Sequence, residues 1–227
     1  MEDSSSGLSH RYSRIAPATA RVAGALHAAA GQMGLALEAA LAAEIIDSGL
    51  AKLWGRSGPA LHCFAFDRYL PRALRETGVR VDKRKALADF WFMSADPDLP
   101  SYIIQVKSGA RLSKAQRTGE AMGLTYLAQI LEQHRMPAVP VLCAFDAKTD
   151  AAAQKAVGSY PGVTTWCGPS LCLQLGLDYE RVEERWYAFA GSTEQNDASL
   201  VEDLYASLVR QYGEEEARRM WSIDTHV

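Results

Sequence analysis

The chain has 227 residues, of which 48% are hydrophobic and 22% charged, and its formal net charge is −3. This balance is typical of a globular protein and excludes large-scale disorder, while the length predicts one sizeable domain. The average charge does not indicate nucleic-acid binding, although what binds a duplex is a local basic face rather than the average.

The cysteines and the chain start bear on the cellular compartment. None of the four cysteines forms a CxxC pair, so we predict no structural zinc site. The polar, Ser-rich start lacks the apolar core of a signal peptide, and no run approaches the ~20 apolar residues of a membrane span. We therefore expect a cytoplasmic protein with reduced thiols and a flexible tail over residues 1–14. The cysteines are Cys63, Cys143, Cys167 and Cys172.

The first part of the chain is rich in helix-forming residues. Residues Pro17 to Leu53 predict helix, with an interruption at the paired glycines Gly31 to Gly34. The second helical segment, Leu35 to Trp54, carries apolar residues at helical spacing and is ended by Gly55. A further amphipathic segment runs from Phe66 to Thr77.

Two strands and a short connection predict a β-hairpin. The aromatic run Lys85 to Met93 has high strand propensity, as does Ser101 to Lys107. The connector between them holds two prolines and two aspartates, which are typical turn residues. A connection this short makes the two strands antiparallel neighbours.

Helices and strands alternate after the hairpin. A capping box at Ser113 to Gln116 opens a long helix that reaches about His134. This order predicts an α/β fold around a mixed sheet, as one domain over residues 15–227 with a core at about 35–166 and a C-terminal helical extension at about 198–221. The further predicted elements are strand Val139–Phe145, helix Ala151–Val157, strand Gly162–Trp166, helix Ser170–Leu175 and helix Leu200–Met220.

Polar residues on the hairpin predict a reactive site. Because residues two apart in a strand share a face, Gln105 and Lys107 point the same way. Burying Lys107 at the end of an apolar strand is costly unless an acid or an anion accompanies it, and Asp89 on the preceding strand can be that acid. The plain structural alternative is a hairpin in which Lys107 reaches solvent at the strand end and Asp89 caps a turn.

This pattern resembles the PD-(D/E)XK nuclease superfamily, which includes most type II restriction endonucleases. The resemblance consists of Asp89, a gap of fifteen residues, and then Gln105-Val106-Lys107 followed by Ser108-Gly109. It covers roughly residues 35–166, because the preceding helix and the following helix and strand also match the order of the family's core. It implies a restriction-endonuclease-like core with a mixed β-sheet flanked by helices.

The resemblance also implies roles for individual residues. Asp89, Gln105 and the backbone carbonyl of Val106 would bind Mg²⁺, and Lys107 would position the attacking water. An acid on the helix before the hairpin often completes such a site; Glu44 is the first candidate and Glu38 the second. Gln105 stands where the family usually has an acid, so we expect weaker metal affinity and give the helix acid more weight.

Basic residues flank the motif on both sides. Around the start of the following helix they fall at a spacing of about three and share one face, which suits a phosphate backbone. A second cluster precedes Asp89, and both clusters are also compatible with an ordinary solvated surface. Together they predict DNA contacts by Arg111, Lys114 and Arg117, and by Lys83, Arg84 and Lys85.

The sequence therefore predicts an endonuclease that hydrolyses double-stranded DNA with Mg²⁺, for which Mn²⁺ can substitute. A type II restriction endonuclease is the favoured form, and the resemblance implies a homodimer that cuts both strands. The alternatives are a repair, recombination or toxin nuclease of the same superfamily, and a DNA-binding relative without catalysis.

Overall fold

The computed structural model describes residues 17–49, 51–53, 62–66, 70–81, 88–94, 96, 98–108, 112–191, 205–206 and 208–222. The predicted tail over 1–14 lies outside these ranges, as do Lys83, Arg84, Lys85 and Arg111. Within the described ranges, no helix combines the length and the apolar character needed to cross a membrane.

Helices and strands alternate along the described chain. The helices are α1 (Pro17–Ser48), α2 (Leu70–Glu76), α3 (Lys114–Gln133), α4 (Asp150–Val157), α5 (Gly168–Leu175), α6 (Tyr179–Gly191) and α7 (Glu214–Ser222), with further helical residues at 205–206 and 208–212. The strands are β1 (Lys52–Leu53), β2 (His62–Phe66), β3 (Phe90–Ser94), β4 (Ser101–Lys107), β5 (Ala138–Ala144) and β6 (Thr164–Trp166).

The strands form one mixed sheet in the order β1-β2-β3-β4-β5-β6. β2, β3 and β4 are an antiparallel meander, whereas β4, β5 and β6 run parallel. The parallel pairs need crossovers, and α3 and α4 supply them. The chain moves in the same direction across the sheet from β4 to β5 and from β5 to β6. Because crossovers between parallel strands are almost always right-handed, α3 and α4 lie on the same face of the sheet.

Contacts identify the two faces of the sheet. Gln105 is paired in register with Leu142, which is paired with Thr165, and the Thr165 hydroxyl donates to the Gly158 carbonyl at the end of α4. The Gln105 face is therefore the one that α3 and α4 cover. Val106 is paired with Cys143 on the opposite face.

Helices α5, α6 and α1 cover that opposite face. Burial and the neighbouring Cys172 of α5 raise the pKa of the Cys143 thiol well above its usual value. Phe145, just after β5, stacks on Tyr179 of α6 and meets Trp186 edge-on. The Trp186 indole donates to the Met33 carbonyl of α1 at 2.9 Å, which ties α1 to α6.

The predicted α/β fold with a mixed sheet flanked by helices is confirmed. The strand predicted at Ser101–Lys107 is confirmed to the residue, and so is the Ser113/Gln116 capping box. Both follow from short-range patterns, namely alternation along a strand and a cap three residues before its partner.

Two predictions in the helical regions were wrong. α1 runs through Gly31 to Gly34 without the predicted interruption. It ends at Ser48 rather than just before Gly55, and the next residue, Gly49, has a left-handed backbone conformation with a φ of +68°. Burial of the following turns, 36–37 and 39–46, outweighs the roughly 1 kcal/mol that each helical glycine costs. Helix α6 was missed, although Val182, Trp186 and Phe189 show helical spacing and are all buried.

Candidate metal-binding and catalytic site

The end of the β3–β4 ladder positions the Asp89 carboxylate. The last paired residues are Phe90 and Ile104, and the Asp89 amide donates to the Ile104 carbonyl at 2.8 Å. Beyond that point the Asp89 side chain continues the ladder, because the Val106 amide donates to its Oδ2 at 2.7 Å. Gln105 Nε2 donates to the other oxygen, Oδ1, also at 2.7 Å. The predicted neighbours Asp89 and Gln105 are therefore in direct contact.

The Asp89 carboxyl has an altered proton affinity. Burial raises its pKa from 3.8 to about 6, and the negative charge of Glu120 acts in the same direction. The Lys107 ammonium lowers that pKa, as do the hydrogen bonds from Val106 and Gln105. Asp89 is therefore ionised at neutral pH, but at a cost that a nearby cation would relieve.

Lys107 pairs with an acid that the sequence analysis did not name. Its ammonium lies 2.9 Å from Oε1 of Glu120 on α3, and the two side chains are only 23% and 18% exposed. Glu120 directly precedes the buried Ala121 and lies one turn before the buried Leu124. That spacing places Glu120 at the edge of the buried face of α3, which is a signal that sequence inspection can detect.

Two buried oxygen atoms at this site lack a hydrogen-bond partner. They are Gln105 Oε1, on a side chain only 5% exposed, and Glu120 Oε2. A buried acceptor without a partner costs free energy, so such atoms are rare in native proteins and call for an explanation.

The backbone adds a third oxygen. Alternate residues of a strand direct their amide and carbonyl groups to opposite sides, and the Val106 amide points toward Asp89. The Lys107 carbonyl accepts from the Phe145 amide on the β5 side. The Val106 carbonyl therefore points to the same side of β4 as the Asp89 carboxylate.

This set of atoms fits a hard divalent cation. The described residues contain no group of three or more His, Cys, Asp and Glu side chains arranged for a metal. Mg²⁺ needs no such group, because it binds through one or two carboxylates together with waters and other oxygens. The carboxylates of Asp89 and Glu120, with the unpartnered Gln105 amide oxygen, meet that requirement.

Glu44 does not join this cluster. It is 2% exposed and lies against two arginines of α6, with Arg181 Nε at 3.4 Å and Arg185 Nη2 at 3.6 Å from its carboxylate oxygens. It also raises the pKa of Cys172, which lies on the α5 side of the sheet. The predicted placement of Glu44 beside Asp89 was therefore wrong, because α1 and the cluster lie on opposite faces. Glu38 lies on the same helix.

Two of the predicted DNA-binding residues are described. Lys114 is exposed and Arg117 half-buried, and both lie in the first turn of α3. Arg117 precedes Glu120 by one turn of the helix, and Lys114 lies about one further turn away. The Arg117 Nε is buried without a hydrogen-bond partner. The amide end of α3 and these two cations thus lie on the helix that carries Glu120.

A cavity of about 980 Å³ lies at the other end of the hairpin. It is lined by Trp91, Leu99, Glu132 and Arg135 among others, and not by the residues of the Asp89 cluster. The cavity and the cluster are therefore separate features of the described structure.

Fold and site together define an α/β protein with an oxygen-rich, lysine-containing cluster at the ends of two sheet strands. No family model matches the chain, and neither a curated protein nor a solved structure matches it. The chemistry of the cluster is therefore the basis for assigning a function.

Proposed function

We propose that this protein is a Mg²⁺-dependent nuclease that hydrolyses phosphodiester bonds of double-stranded DNA. The observation that carries the proposal is the grouping of Asp89, Gln105, Lys107 and Glu120, with two buried oxygens that lack partners. Glu120 takes the place that the sequence analysis gave to Glu44, and it supplies the second acid that Gln105 cannot.

Four groups would hold the magnesium ion: Asp89, Glu120, the Gln105 side-chain oxygen and the Val106 carbonyl. When bound, Mg²⁺ polarises a phosphoryl oxygen and makes a coordinated water more acidic. The hydrogen bonds from Gln105 and Val106 hold the Asp89 carboxylate in one orientation before any ion arrives.

Lys107 contributes a fixed positive charge on the same face of β4 as Gln105. An ammonium next to a scissile phosphate offsets the negative charge that develops on the phosphoryl oxygens and can donate a hydrogen bond to the attacking water. Its burial at a strand end limits competition from solvent, which strengthens both effects.

The proposed substrate is DNA, held by its phosphates. Lys114 and Arg117 in the first turn of α3 offer positive charge on the helix that carries Glu120, and the amide end of that helix also favours anions. Arg111 and the group Lys83, Arg84 and Lys85 remain predicted contacts. Within this proposal, a homodimeric type II restriction endonuclease is the specific form.

One observation favours a second candidate, a DNA-binding relative without catalysis. Gln105 is neutral where the nucleases that the sequence resembles usually carry an acid, and the second acid of the cluster, Glu120, is paired with Lys107. A repair, recombination or toxin nuclease would share the same cluster, so the cleavage pattern has to separate it from a restriction enzyme.

The test is incubation of the protein with unmethylated phage DNA and Mg²⁺. We expect discrete bands from the parent protein and at least a hundredfold slower cleavage by Lys107→Ala, with DNA binding kept. Lys148→Ala is the matched control, because Lys148 also pairs with a glutamate at 2.9 Å and is not among the neighbours that shift the pKa of Asp89. We expect Lys148→Ala to cleave as the parent does.

Each alternative has its own outcome. A smear in place of bands would indicate a nuclease without sequence specificity and would contradict the restriction assignment. DNA binding without cleavage, in either Mg²⁺ or Mn²⁺, would contradict the nuclease proposal and favour the silent relative.

A further inference from the structure

Lys107 is the counter-ion of Glu120 in the protein as described. Within the described part of the chain, its ammonium lies 2.9 Å from Oε1 of that carboxylate, whereas Oε2 is buried and has no hydrogen-bond partner. Glu120 is therefore half satisfied: one oxygen is paired and the other is available to a second cation.

The three charged groups of the cluster act on one another. Lys107 lies 2.9 Å from Glu120, and the two charges act in opposite directions on Asp89: Lys107 lowers its pKa and Glu120 raises it. Two carboxylates and one ammonium leave a net charge of −1. An incoming divalent cation is attracted by the carboxylates and repelled by the ammonium, and the repulsion is strong because the groups are poorly solvated.

We propose that Glu120 exchanges partners: it holds Lys107 while no divalent cation is bound and releases Lys107 when a cation binds. This inference rests on the proposed function, since it concerns the same site. Its consequence is that Lys107 becomes available to a substrate phosphate only in the metal-loaded protein. The ion pair thus sets an order: the cation binds first, and Lys107 then becomes free to contact a phosphate.

The proposed exchange of partners by Glu120 predicts a change in metal affinity that an ion pair with a purely structural role does not predict. If Lys107 competes with the cation for Glu120, removing the ammonium must tighten metal binding, even though the residue is needed for cleavage. If the pair only joins β4 to α3, its loss lowers stability and leaves metal affinity unchanged or weaker.

The experiment is calorimetric titration of Mg²⁺ into the full chain without DNA. We expect Lys107→Met to bind Mg²⁺ roughly tenfold more tightly than the parent, and Glu120→Gln at least tenfold more weakly. Lys148→Met is the matched control and should bind as the parent does, because its partner is Glu183. Unchanged or weaker affinity in Lys107→Met overturns the exchange.

A second measurement uses the unmodified protein and so does not depend on the folding of a variant. Acylation of lysines followed by mass spectrometry reports how accessible the Lys107 amine is, with Lys148 as an internal reference. We expect labelling of Lys107 to rise several-fold when Mg²⁺ is added, and equal labelling with and without Mg²⁺ overturns the exchange.

The two proposals fail in different ways. If the parent binds Mg²⁺ and cleaves DNA while Lys107→Met shows no gain in affinity, the exchange is wrong and the nuclease proposal stands. If the parent neither binds Mg²⁺ nor cleaves DNA, both the proposed function and the proposed exchange are wrong.

Discussion

Asp89, the proposed cation ligand, also affects the stability of the fold through the ionisation of its carboxyl group. Its pKa is raised from 3.8 to about 6, chiefly by burial, although three neighbours favour its charged form. A carboxyl that is hard to ionise in the folded state lowers stability wherever it must be charged. Such a cost at neutral pH is expected of a cation-binding residue and not of one that only caps a turn.

Asp89→Asn should therefore stabilise the metal-free protein at high pH. In the parent, the Asp89 carboxyl holds its proton more tightly in the folded state than in the unfolded state. The free energy of unfolding therefore falls as the pH rises from about 4 through about 6. The shift from 3.8 to about 6 corresponds to about 3 kcal/mol at pH above 7. Urea unfolding at about pH 8 should show part of that gain in Asp89→Asn, because asparagine keeps one of the two acceptor oxygens that Val106 and Gln105 use.

The same comparison at about pH 4 is the control, since Asp89 is then largely protonated in the folded protein. We expect the stabilisation of Asp89→Asn relative to the parent to disappear at this pH. Destabilisation of Asp89→Asn at pH 8 would show that the carboxylate stabilises the fold, which contradicts its assignment as a binding residue.

At the level of elements, α3 sets the position of Glu120. The Ser113 side chain caps the helix, and the Gln116 side chain accepts from the Ser113 amide, so the first turn is fixed in register. Buried leucines at 124, 127 and 131 fix which side of the helix faces the sheet. Glu120 reaches Lys107 because these two constraints agree.

Replacing a glycine by alanine is expected to change the stability of the protein in opposite directions at two positions. Gly119 lies inside α3 with open space where a Cβ would be, so Gly119→Ala should stabilise the protein by about 0.5–1 kcal/mol through helix propensity. Gly168 begins α5, where a Cβ would overlap the Phe145 carbonyl oxygen and lie 2.7 Å from the Tyr179 ring. Gly168→Ala should cost about 1–3 kcal/mol.

Thermal or urea unfolding of the two variants provides the measurement, each serving as the control for the other. Equal effects in the two variants would mean that the close approach of α5 to Phe145 does not exist. Cleavage by Gly119→Ala should match the parent, because the added methyl group points away from neighbouring atoms.

At the level of the whole molecule, an ion network joins the N-terminal helix to the C-terminal helices. Asp47 accepts from Arg185 at 2.9 Å and from Arg210 at 3.0 Å, while Glu44 lies against Arg181 and Arg185. These pairs connect parts of the chain more than 130 residues apart. Glu44 therefore contributes to the packing of α1 on α6 rather than to the cluster around Asp89.

The roles of Glu44 and Glu120 predict contrasting variants. Glu44→Gln should lower the free energy of unfolding by about 1–3 kcal/mol, because it leaves the half-buried Arg185 with one carboxylate fewer. Its cleavage rate per folded molecule should equal that of the parent. Glu120→Gln should lose cleavage at least a hundredfold with a smaller effect on stability.

Cleavage assays and urea unfolding on the same preparations distinguish these patterns. Loss of cleavage in a fully folded Glu44→Gln protein would restore Glu44 to the active centre and remove Glu120 from it. A concentration series in analytical ultracentrifugation would test the predicted homodimer in parallel.

The sequence by itself determined the features that depend on neighbours along the chain. Strand β4 follows from its alternation, the start of α3 from its capping box, and the contact of Asp89 with Gln105 from a short hairpin. What only the tertiary structure decided is which acid meets Lys107. Both Glu44 and Glu120 lie on helices that flank the sheet, and no local pattern specifies which face a helix covers. Strand order and the hand of the crossovers decide that, and they put α3 on the Lys107 face and α1 on the other.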